Sequence, residues 1–235
     1  MERLNSITKQ FGVELNDKQL SQFSMYYDML IEWNKVMNLT AITELDDVII
    51  KHFADSLLLA KYKNLNENLN MIDVGTGAGF PGIPLKIAFS DLNITLMDSL
   101  NKRLKFLNEV ITELKLDNIE TVHARAEDGG RNSLYREKYD IAVSRAVANM
   151  TVLSEWCIPF VKMGGYFIPY KAGAVADEMK DGKKTIRILG GQVENIFTTN
   201  IPDTDNQRSF VFVKKISSTD KKYPRKPGSS KKPIA

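Results

Sequence analysis

The 235-residue sequence is poor in the residues that build disulfides and metal sites, with one cysteine, Cys157, and two histidines, His52 and His123. One thiol excludes an internal disulfide and a cysteine-cluster metal site, so we expect a reducing compartment and no bound metal. No stretch approaches the ~20 apolar residues of a membrane span, and residues 1–5 lack the apolar core of a signal peptide. We therefore expect a cytoplasmic protein without a membrane partner.

Net charge is also small, because 32 Lys and Arg residues stand against 29 Asp and Glu residues and leave +3. The charge is unevenly placed: residues 214–235 hold eight bases and one acid, whereas residues 1–213 carry a net charge of −4. A basic terminal cluster indicates a polyanion-binding arm or a solvated tail. From Ser217 onward the segment is rich in Lys, Pro and Ser, so we expect it to pack little.

Apolar residues recur at helical spacing over the first 65 residues, and from about residue 70 strands alternate with helices. We predict strands at 71–74, 94–97, 120–123, 139–143 and 165–170, with further strands near 185–189, 192–197 and 209–215, and helices at 83–89, 102–114 and 150–161. The alternation predicts a doubly wound, mostly parallel sheet, and leaves open an antiparallel arrangement of the last strands. We divide the chain into a helical region (1–65), a Rossmann-like domain (66–215) and a basic tail (216–235).

A glycine-rich loop follows the first predicted strand and contains Asp73, Gly75, Gly77, Gly79 and Phe80. Ligands of doubly wound sheets bind at this position, and glycines let the backbone approach them closely. Phe80 occupies the third small position of a dinucleotide fingerprint and disfavours NAD, and the Gly-Lys-Ser/Thr of a phosphate-binding loop is absent. The G-x-G-x-G spacing after an acid resembles motif I of class I S-adenosylmethionine-dependent methyltransferases. A turn of small residues without a ligand is the alternative.

Further candidates for the cofactor follow the next two predicted strands. Asp98 closes the second strand, where a carboxylate can accept hydrogen bonds from both ribose hydroxyls; capping the following helix is its alternative role. Ala126 and Glu127 follow the third strand, where such folds hold the adenine. We therefore predict that Asp98, Ala126 and Glu127 bind the cofactor together with the glycine loop.

Six motifs lie in order along nearly the whole chain, at residues 33–40, 52–57, 73–84, 125–127, 144–147 and 223–234. Together they resemble the RsmG/GidB family of bacterial 16S ribosomal RNA methyltransferases. The resemblance implies a seven-stranded class I methyltransferase fold and methyl transfer from S-adenosylmethionine to N7 of one guanine in the decoding-region loop. It also implies cofactor contacts at Gly75, Phe80, Ala126, Glu127 and Arg145. The tail departs from the family pattern at residues 226–228 and 233–234.

Guanine N7 carries an in-plane lone pair and reacts without losing a proton, so its methylation needs no general base. The enzyme must instead place N7 in line with the methyl group and hold the base as charge moves to the ring. We predict that Arg145 orients the substrate or the cofactor carboxylate; an ion pair that serves stability is the alternative. Cys157, the only candidate nucleophile for methylation at pyrimidine C5, is predicted to be a core thiol. The Asn/Asp-Pro-Pro-aromatic turn common in amine methylation is absent after the fourth strand.

The predicted partner is the 16S RNA of the small ribosomal subunit, and we expect a monomer. Phosphate contacts, which position RNA without reading its sequence, are predicted for Lys171, Lys221, Lys222, Arg225, Lys226, Lys231 and Lys232. A solvated role for Lys171 is equally open. Removal of the tail should weaken binding of the ribosomal substrate and leave cofactor affinity unchanged.

The N-terminal motifs have more than one interpretation. We favour a bracing role for Trp33, Asn34 and Asn38 over stacking of a flipped base, and a structural role for His52 and Asp55, which share one helix face. Three other functions remain open for the chain: methylation of another RNA nucleotide or of a small molecule, RNA binding without catalysis, and an NAD-dependent oxidoreductase.

Overall fold

Seven strands form the centre of the computed structural model, which describes residues 1–145 and 148–229. They are β1 (Asn70–Val74), β2 (Asn93–Asp98), β3 (Ile119–His123), β4 (Tyr139–Ser144), β5 (Val161–Ala172), β6 (Gly191–Asn200) and β7 (Gln207–Lys215). Their order in the sheet is β3-β2-β1-β4-β5-β7-β6. β1 to β5 run parallel, and β7 pairs antiparallel with β5 and β6. The predicted mostly parallel, seven-stranded sheet is confirmed.

Helices cover both faces of the sheet. They are α5 (Gly82–Ala88), α6 (Asn101–Glu113), α7 (Ala126–Gly129), α8 (Met150–Cys157) and α9 (Glu178–Ile188). Because successive strand residues point to opposite faces, Met71 of β1 joins the hydrophobic cluster with α5 and α6, and Ile72 joins the cluster with α8 and α9. Because both faces of the sheet are buried, the sequences of the parallel strands are continuous apolar runs.

One predicted strand is wrong: residues 185–189 form the end of α9 and the residue after it. Met179, Gly182 and Ile186 are buried on α9 at spacings of three and four residues, which is the period of a helix packed on one face. A short apolar run alone does not distinguish a strand from such a helix end. The helical spacing becomes visible only when the run is extended back to Met179.

The first 65 residues form helices, as predicted. These are α1 (Glu2–Lys9), α2 (Asp17–Met37) and α3 (Leu45–Val48), which continues through a π-helical stretch (Ile49–Ala54) into α4 (Asp55–Leu57). Asn16 caps α2, and the Gln19 side chain accepts a hydrogen bond from the Asn16 backbone in return. Phe23 and Leu30 of α2 lie in the same hydrophobic cluster as α5 and α6. The helical region therefore shares its core with the sheet.

The end of α2 is braced by polar contacts. The Asn34 side chain donates to the Thr40 carbonyl and accepts from the Thr40 amide, each at 2.9 Å. Asn38 ends the helix in the left-handed conformation. The Trp33 indole nitrogen lies 3.2 Å from Glu109 Oε1, and its ring packs against Phe106. These contacts agree with the bracing role that we favoured for Trp33 and Asn34. Asn38 is exposed, and its predicted side-chain role stays a prediction.

The segment after β7 packs more closely than its composition indicated. Thr219 and Tyr223 are each only 5% exposed. Arg136 donates to the Thr219 and Tyr223 carbonyls at 2.6 and 2.8 Å, and Arg131 donates to the Pro224 carbonyl at 2.7 Å. The expectation that this segment packs little is therefore wrong for residues 219–225, which we call the C-terminal strap. Hydrogen bonds from the two arginine side chains to backbone carbonyls hold the strap in place. Composition does not reveal such contacts.

Candidate active site

The glycine loop leaves β1 with its backbone exposed toward the end of the sheet. Gly75 and Gly77 have φ angles of +73° and +63°, and a Cβ atom at either would meet nothing within 4 Å. Gly79 differs, because a Cβ there would lie 2.6 Å from Ile83 and 2.7 Å from the Tyr26 hydroxyl. Both Gly75 and Gly77 thus have open space beside their backbone, but Gly75 lines the cleft described below and Gly77 does not. Gly79 instead allows close packing beneath the loop.

Asp73 supports this loop from below and does not line the cleft. Its Oδ2 accepts hydrogen bonds from the Thr76 hydroxyl at 2.7 Å and the Gly82 amide at 2.9 Å. Burial raises the pKa of Asp73 to about 6. Its Oδ1 has no hydrogen-bond partner within the described part of the chain. Tyr26 of α2 adds a second support by donating to the Ala78 carbonyl.

A cleft of about 230 Å³ lies beyond the carboxyl ends of β1, β2, β3 and β4. The structure brings four of the predicted cofactor residues together in its lining: Gly75, Asp98, Ala126 and Glu127. Several other residues of the lining were not predicted from the sequence, and the chemically notable ones are Ser99, Arg103, Arg125 and Trp156. The signal that could have found Arg103 is its place in the first turn of the helix after Asp98.

Asp98 joins the glycine loop to the start of α6. Its Oδ2 accepts from the Gly77 amide at 3.0 Å and from Arg103 at 3.1 Å, and its Oδ1 accepts from the Leu100 amide at 2.9 Å. Leu100 is the N-cap residue of α6, and no side chain caps that helix. An ionised carboxylate accepts about four hydrogen bonds. Asp98 therefore has capacity for about one more donor, fewer than the two ribose hydroxyls that we predicted.

Arg145 lies outside this cleft, in a second cavity next to it. Ser144 ends β4 and lines the first cleft, whereas Arg145, the next residue, lines the second cavity of about 280 Å³. This cavity lies at the ends of β4 and β5 and the start of β7, and is lined by Lys51, His52, Asp55, Arg145, Tyr170, Lys171, Ala172 and Arg208. The two cavities are thus neighbours at the carboxyl end of β4.

Asp55 is held between two arginines from different strands. Its Oδ2 lies 3.0 Å from Arg145 Nη1, and its Oδ1 lies 2.7 Å from Arg208 Nε. Asp55 is 1% exposed, so both of its oxygens depend on these partners. The ion pair that we considered for Arg145 is present. Further N–H groups of the two guanidinium groups remain to bind a ligand, because each carries five.

Phe80 packs against Arg145 and lines neither cavity. Its ring is buried, lies 4.9 Å from the Arg145 guanidinium and stacks on the His52 ring at 4.4 Å between centroids. The side chain therefore belongs to the packing beneath Arg145 and not to the cleft lining. A contact between Phe80 and a cofactor would have to come from the backbone.

His52 is neutral in this arrangement. Its Nδ1 lies 3.1 Å from Arg145 Nη2, and its Nε2 lies 2.9 Å from the Thr40 hydroxyl. A guanidinium has only donors, so Nδ1 accepts and Nε2 carries the proton. Burial and the Arg145 charge lower the pKa of His52 to about 3. His52 and Asp55 are connected through Arg145, and no direct hydrogen bond joins these two side chains.

The predicted RNA contacts fall into three groups. Lys171 is buried, donates to the Ala148 carbonyl at 3.0 Å and pairs with Glu178 at 2.8 Å, so its solvated alternative is wrong, and its contact with RNA phosphate stays a prediction. Arg225 is engaged by Glu155. Lys221, Lys222 and Lys226 are exposed. Lys231 and Lys232 lie outside the described residues.

The remaining chemical predictions concern thiols, metals and membranes. Cys157 is buried, and burial raises the pKa of its thiol well above the usual value, which fits a core residue. In residues 1–145 and 148–229, no group of three or more His, Cys, Asp or Glu side chains could hold a metal ion. None of the helices in those ranges has the length and apolar character needed to cross a membrane.

The chain is similar to proteins of one family. The family model GidB, described as rRNA small subunit methyltransferase G, matches residues 19–210. "Ribosomal RNA small subunit methyltransferase G" of Lachnoclostridium phytofermentans is 54% identical over 220 residues, which are 94% of this chain and 91% of that protein. The protein of the same name from Clostridium botulinum (strain Loch Maree) is 51% identical over 97% of this chain and 96% of its own.

Similarity among solved structures supports the fold. Fibrillarin of Aeropyrum pernix, crystallised with natively bound S-adenosyl-L-methionine, superimposes with a TM-score of 0.53 at 14% identity and covers 68% of this chain and 73% of that chain. The fold is therefore that of class I S-adenosylmethionine-dependent methyltransferases.

Proposed function

Since the chain belongs to the rRNA small subunit methyltransferase G family, we propose that it transfers a methyl group from S-adenosylmethionine to N7 of one guanine in the decoding-region loop of 16S rRNA. The family membership identifies a methyltransferase of small-subunit rRNA. One observation supports the assignment of guanine N7. The cleft at the glycine loop lies next to a cavity lined by cationic side chains, and Asp55 and His52 in that cavity already have arginine partners.

The residues of the first cleft, which we call the cofactor cleft from here on, fit S-adenosylmethionine. The bare backbone of Gly75 lines this cleft, and nothing lies within 4 Å of the place that a Cβ atom would take there. Asp98 can accept one more hydrogen bond, as a ribose hydroxyl would donate. Trp156 offers an aromatic surface for the adenine, and the acids Asp98 and Glu127 suit a ligand that carries positive charge. When bound, S-adenosylmethionine supplies an electrophilic methyl group on a sulfonium centre.

The second cavity suits the target nucleotide. Arg145 and Arg208 present guanidinium N–H groups to it, while Asp55 fixes both arginines from behind. Such donors bind a phosphate or the O6 acceptor of guanine. Arg145 follows Ser144 of the first cleft directly, so a base held in the second cavity lies beside the cofactor cleft. Orientation of this base is the main contribution that we assign to Arg145 and Arg208.

We favour N7 because the acid and the histidine described in this cavity are both engaged by arginine side chains. Both oxygens of Asp55 are ion-paired, and His52 Nδ1 accepts from Arg145. An exocyclic amine or a ring N–H must lose a proton on methylation, whereas N7 carries a free lone pair. Among the described residues of the cavity, the Asp55 carboxylate faces two guanidinium groups and the His52 Nδ1 lone pair faces one, so neither is directed at a substrate proton, which favours N7.

The proposal is tested by mapping 7-methylguanosine in 16S rRNA from cells with and without this protein. We expect one modified guanine to disappear from the decoding-region loop in the deleted strain and to return when the gene is restored. Purified protein should then methylate the same site in small subunits from the deleted strain. An unchanged modification profile would overturn the N7 assignment, and methylation at another nucleotide would correct the target.

A further inference from the structure

The C-terminal strap (residues 219–225) packs behind the wall of the cofactor cleft. Ala126 and Glu127, the first residues of α7, line the cleft. Gly130, directly after α7, touches the strap so closely that an added Cβ atom would lie 3.0 Å from Pro224. Thus α7 lies between the cleft and the strap.

A second contact joins the strap to α8. Glu155 of α8 is fully buried, and it accepts hydrogen bonds from the Arg225 backbone amide at 2.7 Å, from Nε at 2.9 Å and from Nη2 at 2.7 Å. A buried carboxylate without a partner is strongly destabilising. The next residue, Trp156, lines the cofactor cleft. The charge of Glu155, and with it the position of α8, therefore depends on a residue of the strap.

We propose that Arg225 is a positioning residue for the cofactor cleft, which acts by holding Glu155 and thereby fixing Trp156 and α7 in the geometry that binds S-adenosylmethionine. The proposal rests on the proposed function only for the identity of the cofactor. It replaces the expectation that the tail can be removed without effect on cofactor affinity. The strap then has two faces: Arg225 points into the protein, and the exposed lysines point to solvent.

The first test measures cofactor affinity by calorimetry. We expect Arg225→Ala to raise the dissociation constant of S-adenosylmethionine about tenfold, because the wall of the cleft loses its support. Arg225→Lys, which keeps the charge but not the forked geometry, should restore part of the affinity. The matched control is Lys162→Ala, which removes an ion pair to the part-buried Asp140 at the opposite end of the strands. This control should bind the cofactor as wild type does.

A double variant separates positioning from general damage to the fold. In Glu155→Gln/Arg225→Ala the buried group is neutral and needs no counter-charge. We expect this double variant to bind the cofactor more tightly than Arg225→Ala alone. Equal weak binding by both variants, at equal folded fraction, would contradict a role through Glu155.

A second readout needs no cofactor. The chain has two tryptophans, so Trp33→Phe leaves Trp156 as the sole indole fluorophore. In that background Arg225→Ala should increase acrylamide quenching of Trp156, and Lys162→Ala should not. Unchanged quenching together with an unchanged dissociation constant overturns the proposal. If the unaltered protein itself fails to bind S-adenosylmethionine, the proposed function fails, and the quenching result still decides whether the strap positions Trp156.

Discussion

Asp98 shows how one side chain can connect a loop, a helix and a ligand site. It receives the Gly77 amide, the Leu100 amide and Arg103, so the loop is fixed before a cofactor arrives. Preorganisation of this kind lowers the ordering cost of binding. We therefore expect Asp98 to contribute to cofactor affinity through the loop as well as through any direct contact.

Replacement of Asp98 tests this double role. We expect Asp98→Asn to weaken S-adenosylmethionine binding by about tenfold or more, since hydrogen bonds to a charged acceptor are lost. Calorimetry measures the effect. Glu120→Gln is the matched control, because Glu120 bonds to Thr95 on the strand surface away from the cleft. An Asp98→Asn protein with wild-type affinity would show that the carboxylate does not support the site.

His52 gives a prediction for pH. Its pKa falls from the usual 6.5 to about 3 in the folded protein, so the unfolded chain binds more protons between these values. The free energy of unfolding of the wild type therefore decreases as pH falls through this window. His52→Asn should lose less stability than wild type between about pH 7.5 and about pH 5, as urea unfolding will show. His123→Asn, at an exposed position, is the control, and identical losses in all three proteins would refute the assignment.

At the scale of elements, the glycine loop and α2 form one unit. Tyr26 of α2 donates to the Ala78 carbonyl, and its hydroxyl leaves no room for a Cβ atom at Gly79. A segment that looks like an N-terminal addition thus supports the loop at the centre of the fold. Substitutions in α2 should therefore alter the glycine loop, and with it the cofactor cleft, through this contact.

Two glycine substitutions separate crowding from backbone strain. Gly77→Ala and Gly79→Ala both place a side chain at positive φ, but only Gly79→Ala meets other atoms closer than 3 Å. We expect Gly79→Ala to lose about 1–3 kcal/mol more in free energy of unfolding than Gly77→Ala. Urea denaturation measures both. Equal losses would mean that strain alone decides the effect.

The sequence predicted the parts of the fold that depend on local pattern. The strand–helix alternation, the glycine loop and Asp98 follow from periodicity and spacing, and the structure places them together. The burial of Lys171 was not predicted, because sequence does not show that it pairs with Glu178. Trp156 was missed in the cleft because its neighbours look like an apolar helix end. Such outcomes depend on contacts between distant segments, which single-sequence patterns do not contain.

For the whole molecule, charge is divided between an acidic body and a basic end. Lys221, Lys222 and Lys226 are exposed on or beside the strap, and lysines that contact phosphates release counterions from RNA. The strap holds these lysines in place, whereas composition had indicated a tail that packs little. A docked arrangement lowers the conformational entropy lost on binding RNA.

Neutralisation of these lysines tests the RNA surface. With Lys221, Lys222 and Lys226 all changed to Gln, we expect the slope of log affinity for small subunits against log salt to fall by about two. Cofactor affinity should stay the same. The control changes Lys18, Lys183 and Lys184 to Gln, an equal change in charge at exposed helix positions. Equal slopes for both triple variants would assign no RNA contact to the strap.

The pairing of Glu155 with Arg225 also has a consequence for biosynthesis. The two residues are 70 positions apart, and translation at ~5–20 residues per second separates their synthesis by roughly 4–14 s. During that interval the nascent α8 carries an acid without its partner, and ionic solvation favours keeping that acid near water. The strap is made after the whole sheet, so its arrival completes the wall around Trp156. We therefore expect a growing chain to acquire its full affinity for the methyl donor only after the strap has been synthesised.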